Sequence, residues 1–182
     1  MAEARRILLI RPSALGDVCR SVPVLVSLRR RYPDATIEWL VQDSFADAVR
    51  HHPDLDGVVA FPRRELGASS KRLNLVPTVK WMNRALRAKP RYDFVVDAQG
   101  LFRSGLFARW TGAKRRIGYA NAEEGAGRFY TEKYGIDRGG HAVDRMLGLI
   151  DAAGIEPVRD MRLYCDPADL AWADAQPWRG GI

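Results

Sequence analysis

Two short polar stretches carry the residue types that could do chemistry. The first is Ser13, Gly16 and Asp17, in the pattern S-x-x-G-D; the second is Asp97, Gln99, Gly100, Arg103 and Ser104. A carboxylate in the first turn of a helix is favoured by the helix dipole, and in a cleft it can take a proton from a hydroxyl. Asp17 is therefore a candidate general base. The competing reading makes it an N-cap or first-turn aspartate that only stabilises its helix, by about 0.5–2 kcal/mol. Asp97 also has two readings, as a second carboxylate or as an acceptor for the N–H groups of the turn that follows it. Gln99 and Arg103 suit ligand contact, because a guanidinium can grip a carboxylate or phosphate in bidentate fashion; a solvated arginine at a helix start is the alternative. Neither stretch is a nucleotide fingerprint. G-x-G-x-x-G is absent, and Gly16 is followed by Asp17 rather than by the Lys-Ser/Thr of a P-loop.

The elements around these stretches alternate. Ile7 to Ile10 is a continuous aliphatic run between Arg6 and Arg11, as expected of a strand buried on both faces. Val18, Val22, Leu25 and Leu28 then keep helical spacing up to Arg29-Arg30-Arg31 and Pro33; Pro23 inside that segment predicts either a kink or a start near Ser21. Strands follow at 36–41, 57–61, 94–97 and 116–119, with a weaker one at 130–134. Helices are expected at 43–50, 77–88 and 101–110. The last strong helix has Val143, Met146, Leu147 and Ile150 at i, i+3, i+4, i+7, and Gly154-Ile155 stand where a Schellman stop places glycine and an apolar residue. The pattern predicts an α/β, doubly wound, Rossmann-like parallel sheet, with order 3-2-1-4-5 and a ligand crevice between the first and fourth strands. One domain is expected over 1–156. The segment 157–182, with a possible strand at 162–165, reads as a linker or the start of a second domain.

Composition narrows the partners. The 182 residues carry 29 Lys+Arg against 22 Asp+Glu, a net charge of +7 that favours an anionic partner. Cations cluster as Arg63, Arg64, Lys71 and Arg72 in a loop after the third strand, as Lys114, Arg115 and Arg116, and as Arg128, Lys133 and Arg138. No helix is a basic stripe and no recognition motif is present, so nucleic acid is not expected. Cys19 and Cys165 show no metal-ligand or disulfide spacing, and no signal or membrane-spanning run is present. His51 and His52 precede Pro53 with no metal spacing and read as surface or capping residues, and His141 reads equally well as a helix cap or a binding residue.

The segments 7–41 and 92–119, together with the HAVDR motif at 141–145, resemble the glycosyltransferase family 9 heptosyltransferases of lipopolysaccharide inner-core synthesis. The joined motifs, S-x-x-G-D and D-x-Q-G-L-x-[KR]-S, are the specific part, and the D-A-Q-G-L wording is closer to the type I pattern. The resemblance implies the N-terminal, acceptor-binding half of a GT-B enzyme. It would transfer heptose with inversion from an ADP-sugar to a hydroxyl of a Kdo-lipid A type acceptor, with no cofactor or metal. It assigns Asp17 as base. It also carries acceptor contacts over to Arg63 and Arg64 and, from HAVDR, to Arg145; Ser13, Gly16, Gln99, Arg103 and His141 are expected to complete the acceptor site from their places in the two loops and at the start of the last helix. The sequence departs from the family at Glu65-Leu66 and Glu123-Glu124, which implies a different anionic pattern in the acceptor. The nucleotide-sugar would be held by the absent C-terminal half, so residues 1–182 alone are expected to be inactive. A cytoplasmic location is implied, with peripheral contact at the inner membrane. The competing class is a non-catalytic module that holds an anionic glycan or lipid headgroup.

Overall fold

A computed structural model describes residues 4–71, 74–87, 90–137 and 139–176, with the side chains of 69–71 excepted. The Lys71 side chain, Arg72, Arg138 and the chain from 177 onward lie outside the described residues. Six parallel strands, β1 (Arg6–Ile10), β2 (Thr36–Gln42), β3 (Gly57–Phe61), β4 (Phe94–Asp97), β5 (Arg115–Tyr119) and β6 (Glu132–Tyr134), form one sheet in the order β3-β2-β1-β4-β5-β6. The expected order is extended by the short sixth strand.

The central strands explain themselves. Ile7 and Leu9 of β1 enter one core and Leu8 and Ile10 the other, all four fully buried. Burying each such side chain is worth about 1.5–3 kcal/mol, and a one-residue slip would exchange the two faces. Where the aliphatic run stops, at Ile10, is therefore fixed by packing. Helices α1 (Leu15–Arg20), α2 (Val22–Arg31), α3 (Asp47–Arg50) and α7 (Ala142–Ala152) cover the first face. On the second lie α4 (Arg63–Lys71), α5 (Val76–Leu86) and α6 (Phe102–Thr111), with Phe61, Trp81 and Phe107 packed edge to face at 5.2–5.5 Å between ring centroids. The sheet is thus wound on both sides.

The helix expected over Val18 to Leu28 is broken at Ser21. Pro23 cannot donate to the preceding turn, so α2 starts afresh with proline at its second position. The expected 43–50 helix divides into a 3₁₀ turn, Asp43–Phe45, and α3. Arg63, Arg64 and Lys71 of the first basic cluster lie on a helix, α4, rather than on a loop: Leu66 turns into the second core and anchors it. Gly154 (φ 79°) and Ile155 complete a Schellman stop, with Ile155 N–H donating to Ile150 O at 3.0 Å and Gly154 N–H to Asp151 O at 2.8 Å.

Beyond that stop the chain is tied back by Val158 N–H to Ser27 Oγ (2.8 Å) and by Tyr164 against the His52 ring. The strand expected at 162–165 is absent, since Tyr164 makes its contact through its ring and the segment pairs with no sheet edge. His52, expected at the surface or in a capping role, is buried against Tyr164, and its Nδ1 accepts the N–H of Asp54 at 3.1 Å. A last helix, α8 (Pro167–Asp174), is capped by Asp166. No helix of the described residues is long and apolar enough to cross a membrane.

Candidate active site

Two loops leave the sheet on either side of the point where strand order reverses, one after β1 and one after β4. Arg11 spans them. It is the first residue after β1 and only 9% exposed. One terminal guanidinium nitrogen donates to the carbonyl of Ala98, just past β4, at 2.6 Å, and the other pairs with Asp17 Oδ2 at 2.8 Å. Such charge-assisted bonds are stronger than neutral ones and fix geometry. Asp17 lies in the first turn of α1 but does not cap it: the N-cap is Ala14, which makes no side-chain bond. Its carboxylate is one-third exposed, and Oδ1 lies 3.7 Å from Arg20, its one ion-pair partner among the described residues. That oxygen keeps open hydrogen-bonding capacity.

The crevice beside Arg11 has a volume of about 260 Å³ and is lined by Gln99, Gly100, Tyr119, Asn121, Glu123, Arg145 and Met146 among others. Arg11 Nε and Gln99 Oε1 are buried there without a hydrogen-bond partner among the described residues. Buried polar atoms normally have partners, so these are the two atoms of the crevice best placed for a ligand. Gly100 takes φ +76°, and a Cβ there would press on the Tyr119 ring at 3.1 Å. Glycine is needed for both the turn and the close approach.

Asp97 belongs to the scaffold. It is fully buried; Oδ1 accepts the N–H groups of Gln99 (2.9 Å) and Gly100 (3.1 Å), and Oδ2 accepts the Tyr130 hydroxyl at 2.7 Å. Burial raises its carboxyl above the usual range, opposed by these hydrogen bonds. A Cβ at Gly118 would collide with the Tyr130 ring, so glycine there keeps Tyr130 on Asp97. Glu124, at one of the family departures, accepts the N–H of Phe102 at the start of α6 at 3.1 Å.

The other expected residues divide between this crevice and a second place. Arg145, on α7, lines the crevice, while His141 caps that helix through Nδ1, which accepts Val143 N–H at 3.3 Å. Ser13 is half-buried in the β1–α1 turn, and Gly16 faces open space, with nothing within 4 Å of an added Cβ. Arg63 and Arg64 instead line a shallow depression with Gln42, Gly67 and Ala68, and Arg63 donates to Gln42 Oε1 at 3.2 Å. Arg103 is exposed, with its guanidinium 5.7 Å from the Phe61 ring centre, and does not line the crevice. Ser21 joins the crevice walls: its hydroxyl donates to the Asp17 carbonyl at 2.7 Å and lies 3.0 Å from Met146 Sδ on α7.

Arg11 is the residue that sequence reasoning missed. Its signal was present, a charged residue directly after a doubly buried strand, but its partners lie 87 and 6 residues away. The two arginines of the second basic cluster are structural. Arg115 pairs with Glu132 at 3.0 Å, and Arg116 donates to the Phe129 carbonyl at 2.8 Å. Among the described residues no group of three or more His, Cys, Asp and Glu is arranged to hold a metal ion.

Residues 79–166 match the family model described as glycosyltransferase family 9 (heptosyltransferase). The chain is 34% identical over 155 residues to lipopolysaccharide heptosyltransferase 1 of Pseudomonas aeruginosa, covering 81% of this chain and 42% of that protein. It is 31% identical over 143 residues to lipopolysaccharide heptosyltransferase 1 of Escherichia coli K12, covering 77% and 44%. Its fold matches the structure of E. coli heptosyltransferase WaaC with ADP-2-deoxy-2-fluoro heptose at a TM-score of 0.72 and 28% identity, over 85% of this chain and 50% of that one. The chain spans less than half the length of these curated relatives. Family model, relatives and fold agree with the resemblance carried by the S-x-x-G-D turn and the D-A-Q-G-L turn, and the chain belongs to glycosyltransferase family 9.

Proposed function

We propose that this chain is the acceptor-binding half of an inverting heptosyltransferase of lipopolysaccharide core synthesis, with Asp17 as its general base. The observation that carries the proposal is the Arg11–Asp17 pair. Oδ2 is held at 2.8 Å by Arg11, which itself lines the crevice, while the carboxylate is one-third exposed and Arg20 stands 3.7 Å from Oδ1. In the reaction, the acceptor hydroxyl gives its proton to Oδ1 as its oxygen attacks the anomeric carbon of ADP-heptose from the face opposite the leaving group. The carbon–oxygen bond to the diphosphate breaks, and its electron pair leaves with ADP. Gln99 and Arg145 hold the acceptor sugar in the crevice, with Ser13 and the Gly16 backbone beside it. Arg63, Arg64 and Arg103 meet the carboxylates or phosphates of a Kdo-lipid A type acceptor, and His141 positions Arg145 by capping α7.

Residues 1–156 form the acceptor domain in this proposal, and 157–182 lead to the donor-binding half. Holding both substrates in line supplies much of any rate enhancement, so residues 1–182 alone are expected to transfer no heptose. The reaction is assigned to the cytoplasmic face of the inner membrane. The test is a two-domain enzyme made by joining this chain to the remaining half of the P. aeruginosa relative, assayed for transfer from ADP-heptose to a Kdo-lipid A acceptor. Asp17→Asn should lower kcat by about 10²–10⁴-fold with little change in KM. Near-normal turnover rejects the base assignment.

A further inference from the structure

The run from Arg63 to Arg87 contains seven Lys or Arg against one acid, Glu65. The apolar part of this region is unusual as well. Leu75, Val76 and Val79, at the N-terminal tip of α5, are 59%, 57% and 40% exposed. The inner face of the same helix holds Trp81, Met82 and Leu86, all buried, so α5 has its core contact without these three. Lys80 and Arg84 follow on the exposed side, and Arg64 stands on the adjoining α4; none of the three has an ion-pair partner among the described residues.

Topology puts this tip at the ligand-bearing edge of the sheet. The segment joining β3 to β4 must return the chain to the start of a parallel strand, so α5 runs against the strands and begins at their carboxyl ends. Trp81 marks the level of that edge. Its indole N–H donates to the Ala60 carbonyl at 3.2 Å, and its ring meets Phe61, the last residue of β3, at 5.3 Å. Val76 lies five residues earlier, roughly 7 Å further along the helix axis at about 1.5 Å per residue. The apolar tip therefore stands proud of the sheet, at the same edge from which α4, with Arg63 and Arg64, starts after β3.

We infer that the tip of α5 docks this domain on an anionic lipid bilayer, deepening the glycolipid-acceptor reading above. Leu75, Val76 and Val79 enter the headgroup boundary, while Arg64, Lys80 and Arg84 meet lipid phosphates. Apolar side chains ringed by cations bind anionic membrane surfaces through both terms together. Charge also separates this patch from another exposed apolar group, Leu170 and Trp172 on α8, whose helix carries Asp169 and Asp174 and is capped by Asp166. An acidic helix is repelled by the same surface.

The test is co-sedimentation of the chain with vesicles of equimolar phosphatidylglycerol and phosphatidylcholine, and with phosphatidylcholine alone, in the absence of any Kdo glycolipid. Binding to the anionic vesicles is expected, falling with salt. Combined L75S, V76S and V79S should weaken it about tenfold or more, and combined K80Q and R84Q should weaken it to a similar extent. All five positions are exposed, and an unchanged thermal midpoint confirms that the variants fold. L170S with W172S should leave binding intact. Binding that is absent, equal on neutral vesicles, or lost only with the α8 variant overturns the inference. So does wild-type self-association abolished by the triple variant, which would make the tip a protein interface. None of these outcomes bears on the Asp17→Asn result, so the inference and the proposed function fail separately.

Discussion

The crevice at the β1–β4 reversal and the depression beside β3 both lie at the carboxyl ends of parallel strands and both carry arginine, yet they use it in opposite ways. In the crevice Arg11 is buried and committed, to Ala98 O and to Asp17. In the depression Arg63 and Arg64 are exposed, and Arg63 makes one long bond to Gln42. A buried cation whose partners are fixed sets geometry, and removing it leaves other groups uncompensated. An exposed cation supplies field, which is graded and screened by salt. On the proposed reading, the difference separates where chemistry is positioned from where an anionic ligand is attracted.

The contrast breaks most visibly at Arg11. Arg11→Met should lower stability by about 2–3 kcal/mol, the lower end for a buried pair because Asp17 is one-third exposed. It should also cut kcat of the two-domain enzyme about a hundredfold by releasing Asp17. Urea unfolding and steady-state kinetics measure the two effects. Combined Arg63→Gln and Arg64→Gln should raise KM for the acceptor about tenfold with kcat held, and the effect should shrink as salt rises. A fall in kcat alone would erase the distinction between the two regions.

Asp97 tests the scaffold side of the crevice. Its raised carboxyl pKa means that the folded chain holds the proton more tightly than the unfolded chain does. That contribution is fully present below the unfolded value of about 3.9 and is lost as pH rises through the folded value. Asp97→Asn keeps an acceptor for Gln99 and Gly100, so stability near pH 7 should change by less than about 1 kcal/mol. The wild type should gain on the variant as pH is lowered toward 4, read as diverging urea midpoints. Gly16→Ala should have the smallest effect on stability, a few tenths of a kcal/mol in favour of alanine, because its Cβ meets nothing. Loss of turnover at unchanged thermal midpoint would show that the acceptor passes through that open space.

Much of the frame was legible in the sequence because its cause is local. Aliphatic runs at Ile7–Ile10 and Phe94–Val96 announce strands covered on both faces, and Gly154-Ile155 announces the stop of α7, since each signal lies within a few residues. Features made by distant groups were not legible. Arg11 looked like a strand flank because Ala98 comes from the turn after a different strand, β4. Arg103 looked like a neighbour of Gln99, but successive residues of a helix point in different directions, and it reaches the Phe61 ring instead. The strand expected at 162–165 had the right composition but no ladder to join, and composition alone cannot supply a partner. The basic stretch after β3 read as a loop because its charges hid the single anchor, Leu66.

The hydroxyl of Ser21 is a small part with wide reach. It closes the end of the helix that bears Asp17 and touches the methionine next to Arg145. Both banks of the crevice therefore meet at one oxygen, and the aperture between them is set by a serine that no sugar need ever touch. Exchange of that fully buried serine for a bulkier side chain would push α1 and α7 apart and so change the gauge of the opening.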